Sequence, residues 1–362
     1  MADLQESNGV SPLILATARL QPAENGEGPR LVEWELARRL GGRVVQYSDP
    51  EVNPPWRRLE EAMRLDFSLA RKGLSLLNHH GVVFSTSEKV GIPLLAFQHG
   101  NASIPHVMLA HNLLSPLKFK LLKSTGLLRK LRFLLCLSRE ELAILRRHSG
   151  LPRERVILIQ GGCTDQRFFL PAPGGGEGFV LSTGATQRDY YTLLRGLGGL
   201  PTRVIVAAGS QWVKGPGMKG RIPSNFTLLP PQSLFQMRDL YARCAVVVIP
   251  LRRGTQHSAG RTTVAEAMAS AKAVVATDLP GMRDYIEEGV NGLLVEEGDE
   301  GALRNAVTEL LSSDKRLVSL GLAGRKVAEE KWNFDVYVEY LSRVLAEAAR
   351  RPSPALASER RR

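Results

Sequence analysis

The sequence predicts an α/β fold with mostly parallel sheets, built twice along the chain. Three observations carry this. Short Val-, Ile- and Leu-rich runs, apolar on both faces, alternate with longer amphipathic segments, the pattern of strand–helix–strand units. The alternation is interrupted at Pro171-Ala-Pro-Gly-Gly-Gly176, a run that suits a linker and no regular element. A length of 362 residues with 43% hydrophobic content is enough for two cores.

Taken in order, residues 1–11 read as a flexible leader, polar and acidic and unlike a signal peptide. The first domain then covers 12–170. Leu13–Ala16 is its first strand; Gly26 and Gly28 punctuate the next loop, and Pro29 suits the start of a helix to about Leu40. Arg43–Tyr47 is a second strand, and an amphipathic segment spans about 56–78. Val82–Phe84 and Pro93–Phe97 read as strands, as does Val107–Leu109, which leads into His111-Asn112. After a basic, leucine-rich stretch come a strand at Phe133–Leu137 and a helix at 138–148.

Residues 171–178 form the expected linker, and 179–333 the second domain. Its strands are expected at Phe179–Ser182, Val204–Ala207, Thr227–Leu229, Ala245–Ile249, Ala273–Ala276 and Leu293–Val295. Leu303, Ala306, Val307, Leu310 and Leu311 have helical spacing within about 299–312. A final helix is expected at 334–349 and a disordered basic tail at 350–362.

The net charge of +12 suits an anionic ligand or an anionic membrane surface. Nucleic acid is not indicated: there is no zinc-finger spacing, RNP-like aromatic motif or compact arginine-rich reading helix. Cys136, Cys163 and Cys244 are far apart and lack metal or redox spacing, which suits a reducing compartment. No apolar run reaches the roughly 18 residues of a membrane span, so the expected location is cytoplasmic or peripheral at the cytoplasmic membrane face. In Leu114–Phe133, Leu114, Leu117, Leu121 and Leu128 lie at helical spacing among Lys118, Lys120, Lys123, Arg129, Lys130 and Arg132. Such a face suits anionic lipid headgroups or a packed helix with a solvated basic rim. There is no Asp-x-Asp, HExxH or His/Cys cluster, so no metal is expected.

Residues 258–297 carry the densest chemistry. Gly260 precedes Thr262, Thr263 and an alanine-rich helix, an arrangement that directs backbone N–H groups toward an anion such as phosphate. Glu266, one turn in, is placed to bind ribose hydroxyls beside it. Arg252, Arg253 and Arg261 surround Gly254 and Gly260, and planar guanidinium groups suit phosphate oxygens. Gln256, Ser258 and Ala259 share that loop. Gly184-Ala-Thr-Gln-Arg-Asp189 is a second strand-to-helix turn, with Arg188 its cation.

Glu266-Ala-Met-Ala269, Ala273-Val-Val-Ala-Thr277, Gly281 and Gly289-Val-Asn-Gly-Leu-Leu-Val295 resemble the nucleotide-sugar half of the retaining glycosyltransferases of family 4 (group 1), whose fold is GT-B. The resemblance implies two Rossmann-like domains with parallel sheets facing a central cleft, and a final helix that crosses back to the first domain. It implies sugar transfer, with retention, from a nucleotide-diphosphate sugar to an acceptor the sequence does not name. The leaving diphosphate would be stabilised by cations and a helix N-terminus, without metal or cofactor. It implies a catalytic role for His111 and Glu266, with Gly26 and Gly28 in a loop approaching phosphate or acceptor. It implies donor contacts from Arg188, Arg253, Gln256, Ser258, Ala259, Gly260, Arg261, Thr262 and Glu266. The chain departs from the family at Ser258, where a Glu is usual, and at Ala185, where an Arg is usual. A sugar-nucleotide epimerase of the same fold and a catalytically lapsed nucleotide-sugar-binding homologue are the alternatives.

Overall fold

The computed structural model describes residues 10–17, 27–47, 49, 52, 57–98, 104–159, 164–172, 177–208, 222–254 and 257–350. Gly26 and Gln256 lie outside the described residues, as do most of the leader, the centre of the linker and the tail.

The described residues divide into two compact units. One holds the first strand, 30–160 and the last helix from Tyr337 onward; the other holds 161–336, with 27–29 grouped to it. Each contains a six-stranded, wholly parallel sheet.

In the first unit, β1 (Pro12–Ala16) is followed by α1 (Val32–Leu40) and β2 (Arg43–Gln46). Then come α2 (Arg57–Met63), α3 (Phe67–Leu76), β3 (Val82–Ser85), α4 (Glu88–Phe97), β4 (His106–Leu109) and α5 (Pro116–Thr125). β5 (Phe133–Cys136), α6 (Arg139–His148) and β6 (Val156–Leu158) complete it. The strand order is β2-β1-β3-β4-β5-β6. Leu13, Leu15, Val83 and Leu94 pack in one core cluster, and Met108, Leu134, Leu122 and Leu145 in another.

The second unit has β7 (Val180–Thr183), α7 (Tyr190–Leu197), β8 (Val204–Ala207), β9 (Phe226–Leu228), α8 (Leu234–Arg243) and β10 (Val246–Ile249). It continues with α9 (Arg261–Ala269), β11 (Ala273–Thr277), α10 (Pro280–Arg283), β12 (Leu293–Val295), α11 (Glu300–Leu311) and α12 (Asp314–Glu330). α13 (Phe334–Arg350) ends the described chain. The strand order is β12-β11-β10-β7-β8-β9. Side chains alternate across the sheet: Val247 and Ile249 join Val264, Met268 and Tyr241 on one face, while Val246 and Val248 join Leu193, Leu303 and Val307 on the other. Burial on both faces is why these strands read as unbroken apolar runs.

One expected element changes type. Pro93–Phe97 is the second half of helix α4, not a strand. The Ser87 side chain caps the helix by accepting from the Lys89 N–H at 3.2 Å, and the apolar run is buried around most of its circumference. Pro93 has no N–H for the Lys89 carbonyl, which instead accepts from the Asp66 N–H at 2.9 Å. A neighbouring segment thus supplies the hydrogen bond the proline withholds. The amphipathic stretch at 56–78 holds two α-helices, α2 and α3.

Candidate functional site

In an open parallel sheet, ligands bind at the strand C-termini where the strand order reverses. In the second unit that point lies between β7 and β10. The two loops there are fastened to each other. Arg188 bridges Leu251, and the Arg252 N–H donates to the Gln187 carbonyl at 2.9 Å. Gln187 has a φ of +54°, a strained left-handed conformation for a side chain of that size. Gly254 packs so tightly on Gln187 that an added Cβ would overlap the amide.

The loop after β10 runs into α9. Gly260, with a φ of +87°, is the N-cap, in a conformation that favours glycine. A Cβ there would also crowd Ile249, Leu251 and Met282 at 3.2 Å. The Val264 N–H makes the first helical bond, to the Gly260 carbonyl at 3.0 Å. The N–H groups of Thr262 and Thr263 find no backbone acceptor among the described residues, so the helix opens with donors for an anion. Ser258 and Ala259 are buried beneath this turn, and the Arg261 N–H reaches the Ser258 carbonyl at 3.3 Å. Arg261 is buried, Thr262 exposed. Arg253 is exposed, its backbone N–H bound to Glu297 Oε1 at 2.7 Å.

Glu266 is half-buried, and its Oε2 accepts from the Tyr241 hydroxyl at 2.8 Å. Burial pushes its carboxyl up to about 7, against the opposing pull of the Tyr241 hydroxyl and the Arg188 charge. Burial and the Glu266 charge push the Tyr241 phenol well up, so it stays a donor. Arg188 lies beneath the turn rather than in open solvent. It is 4% exposed and donates to the Thr183 carbonyl at 2.7 Å, the Thr186 carbonyl at 3.1 Å and Thr263 Oγ1 at 2.8 Å. The structure therefore gathers Arg188, Ser258, Ala259, Gly260, Arg261, Thr262 and Glu266 around one turn. It adds Tyr241, Thr183 and Thr263 as buried polar partners. Tyr241 sits on α8, a helix with no motif of its own, so spacing gave no signal for it.

In the first unit the order reverses between β1 and β3. His111, two residues past β4 and so one strand away, is half-buried, with Nε2 at 3.0 Å from the Thr86 carbonyl just beyond β3. The buried carboxylate of Glu88 accepts the His111 N–H at 2.9 Å, the Asn112 N–H at 3.2 Å and Lys118 Nζ at 3.3 Å. Burial works against the ionised form of Glu88, but the His111 and Lys118 charges and these backbone donors outweigh it and keep its carboxyl below the usual range. Glu141 is pushed the other way, up to about 7, by burial and, more weakly, by Glu88. Neither glutamate stood out in the sequence. Gly28 is half-buried in the loop before α1.

The basic stretch after His111 keeps most of its described apolar side chains inside. Leu122, Leu128 and Leu131 are buried, and Leu114 and Phe119 pack partly against the core. Lys130 Nζ donates to the Leu95 and Gln98 carbonyls, both at 3.0 Å. Lys120, Lys123 and Arg129 remain exposed. No helix among the described residues is long and apolar enough to cross a membrane.

Residues 202–313 match the family model "Glycosyl transferases group 1". An uncharacterized glycosyltransferase of Methanocaldococcus jannaschii is 30% identical over 108 residues, covering 30% of this chain and 29% of that protein. The D-inositol 3-phosphate glycosyltransferase of Xylanimonas cellulosilytica is 24% identical over 303 residues, covering 73% and 69%. That of Mycolicibacterium smegmatis is 31% identical over 144 residues, 39% and 32%. The chain thus spans about a third of two of these curated relatives and about two thirds of the other. Among solved structures, the sucrose-phosphate synthase of Thermosynechococcus elongatus superposes with a TM-score of 0.71 at 18% identity, covering 93% of this chain and 98% of that one. HepE of Anabaena, solved with UDP and glucose, gives 0.70 at 16% identity, with coverage of 93% and 99%. Within the second unit, residues 202–313 thus match a group 1 glycosyltransferase domain, and the chain has a two-domain α/β fold of the GT-B kind.

Proposed function

We propose that this chain is a retaining glycosyltransferase that moves a sugar from a nucleotide-diphosphate sugar to an acceptor. The observation that carries the reading is the turn at Ser258–Arg261. It opens α9 with free N–H donors and sets Glu266 into that helix at the switch point of the second sheet. The donors suit the diphosphate, and the Glu266 carboxylate suits the hydroxyls of a ribose. Helix N-terminal donors and the arginines of the β10–α9 loop stabilise charge as it develops on the leaving diphosphate. His111 is the catalytic residue proposed within the first unit. Where the family carries Glu, Ser258 is shorter and uncharged, so sugar hydroxyls are met by backbone N–H groups of 257–260 and by Gln256.

The test is a thermal-shift panel of UDP-, GDP-, ADP- and dTDP-sugars. A donor at 100 times its dissociation constant adds about 2.7 kcal/mol of stability. Slow hydrolysis of the stabilising donor supports transfer, inversion at C2 supports an epimerase, and binding without turnover supports a lapsed enzyme. Turnover is expected to survive EDTA, because protein cations and N–H donors carry the diphosphate charge. Loss of turnover in chelator, restored by magnesium or manganese, refutes that expectation.

The enzyme is proposed to work in the cytoplasm, with Lys120, Lys123 and Arg129 resting on an anionic membrane surface. It should sediment with anionic vesicles and release in 1 M salt, where the Debye length falls to about 3 Å. Equal sedimentation with neutral vesicles refutes this contact.

A further inference from the structure

A line of hydrogen bonds runs from the turn after β7 to the glutamate of α9. Arg188 Nη2 lies 2.8 Å from Thr263 Oγ1, which is 3.4 Å from Thr183 Oγ1. Thr183 Oγ1 is 3.2 Å from the Tyr241 hydroxyl, and that hydroxyl is 2.8 Å from Glu266 Oε2. Its direction is forced by its ends. A guanidinium only donates, and an ionised carboxylate only accepts. Thr263 therefore accepts from Arg188 and donates to Thr183, Thr183 donates to Tyr241, and Tyr241 donates to Glu266. Each hydroxyl is polarised by the one before it, which strengthens the last bond. Thr183, Arg188, Tyr241 and Thr263 are all buried, so water does not compete along the line. Glu266 Oε1 accepts no hydrogen bond among the described residues.

We propose that Tyr241 is a positioning residue of the nucleotide site, holding Glu266 Oε2 at the end of this polarised line so that Oε1 is the oxygen left to accept from a ribose hydroxyl. The inference rests on the nucleotide-sugar reading above and deepens it. Two groups facing Glu266 titrate or carry charge: Tyr241 from α8 and Arg188 from the turn after β7. From α12, which also packs on α9, Arg325 Nη1 reaches the far end of the helix at the Ala269 carbonyl. Both Tyr241 and Arg188 favour the ionised form of Glu266. Removing the phenol hydroxyl makes the carboxylate harder to form as well as freer to turn.

The experiment is calorimetric titration of the full chain with UDP, GDP and ADP from pH 5 to 9. The wild-type protein and the Tyr241→Phe and Thr183→Val variants are compared, with thermal unfolding checked for each. For the wild type, affinity for the nucleotide that binds should fall as pH drops through about 7, where Glu266 takes up a proton. In Tyr241→Phe that midpoint should rise by about one pH unit, with affinity about fivefold lower at pH 7, about tenfold lower at pH 5, and the deficit shrinking toward pH 9. Thr183→Val, which breaks the line one link earlier, should move the midpoint the same way by less. A Tyr241→Phe loss that is equal at every pH, or no loss at all, overturns the positioning role while leaving the nucleotide site intact. Failure of the wild type to bind any of the three nucleotides overturns the site itself. If Tyr241→Phe does not fold, the midpoint of Thr183→Val decides.

Discussion

Glu266→Ala should lose nucleotide binding, while Glu266→Gln should make the protein more stable above pH 7. A hydrogen bond to a charged acceptor is worth about 1.5–3 kcal/mol, so losing one weakens binding by about 10- to 100-fold, and losing both ribose contacts by more. The stability change has the opposite sign. The folded-state value of about 7 lies above the ordinary 4.5 for this group. Folding therefore favours the protonated form, and the chain loses stability as pH rises from 4.5 through 7. Above 7 that loss is complete; below 4.5 both states hold the proton and it vanishes. A shift of this size corresponds to about 3 kcal/mol, and partial exposure of Glu266 reduces it to about 1–2 kcal/mol. Glutamine keeps an acceptor for Tyr241 and is never charged. Melting curves at pH 4 and pH 8 check this. A Glu266→Gln variant no more stable than wild type at pH 8, or an alanine variant that binds donor normally, refutes the role given to Glu266.

Gly281→Ala should be the most damaging change outside the line of polar contacts. A Cβ at Gly281 would stand 1.9 Å from the His257 carbonyl oxygen, on the loop that leads into α9. A backbone oxygen cannot swing aside as a side chain can. Either α10 or the 257–260 turn must move, and the N–H donors of α9 move with the turn. Overpacking of this kind costs about 1–3 kcal/mol. Nucleotide affinity should drop at least about tenfold, since the donors no longer converge. Gly301→Ala is the control: it lies within α11, its nearest contact is Asp299 Oδ1 at an ordinary 3.4 Å, and it should be neutral or slightly stabilising. Normal UDP binding by Gly281→Ala would show that the turn tolerates displacement.

The sequence made the repeating architecture readable because every strand of a parallel sheet buried on both faces must be apolar. Val246–Ile249 and Ala273–Thr277 admit few other readings. The same property misled at Pro93–Phe97, where a helix buried nearly all round shows no helical period and its proline argues for an extended chain. What rescues that helix is the Asp66 N–H, 23 positions before Lys89 whose carbonyl it meets, and no local window contains both. The site was legible where it depends on backbone geometry. Gly260 and Gly281 are glycines because a left-handed turn and a close carbonyl admit nothing larger. It was not legible where it depends on partners from other elements. Glu266 was visible, but Tyr241 meets it only because α8 and α9 are packed together, and Arg188 appears cationic and available until its donors are followed to Thr183, Thr186 and Thr263.

α13 has a consequence for how the protein is made. It starts within the second unit at Phe334, and from Tyr337 it belongs to the first, where Val338, Leu341, Leu345 and Ala348 are buried and Glu339 pairs with Arg39. During synthesis the six strands of the first unit leave the ribosome well before the helix that belongs with them. The second unit, almost continuous in the chain, emerges in between and has nearly all its parts when it does. Domains otherwise tend to mature in N-to-C order; here the half that is translated first is complete only once the last helix has emerged.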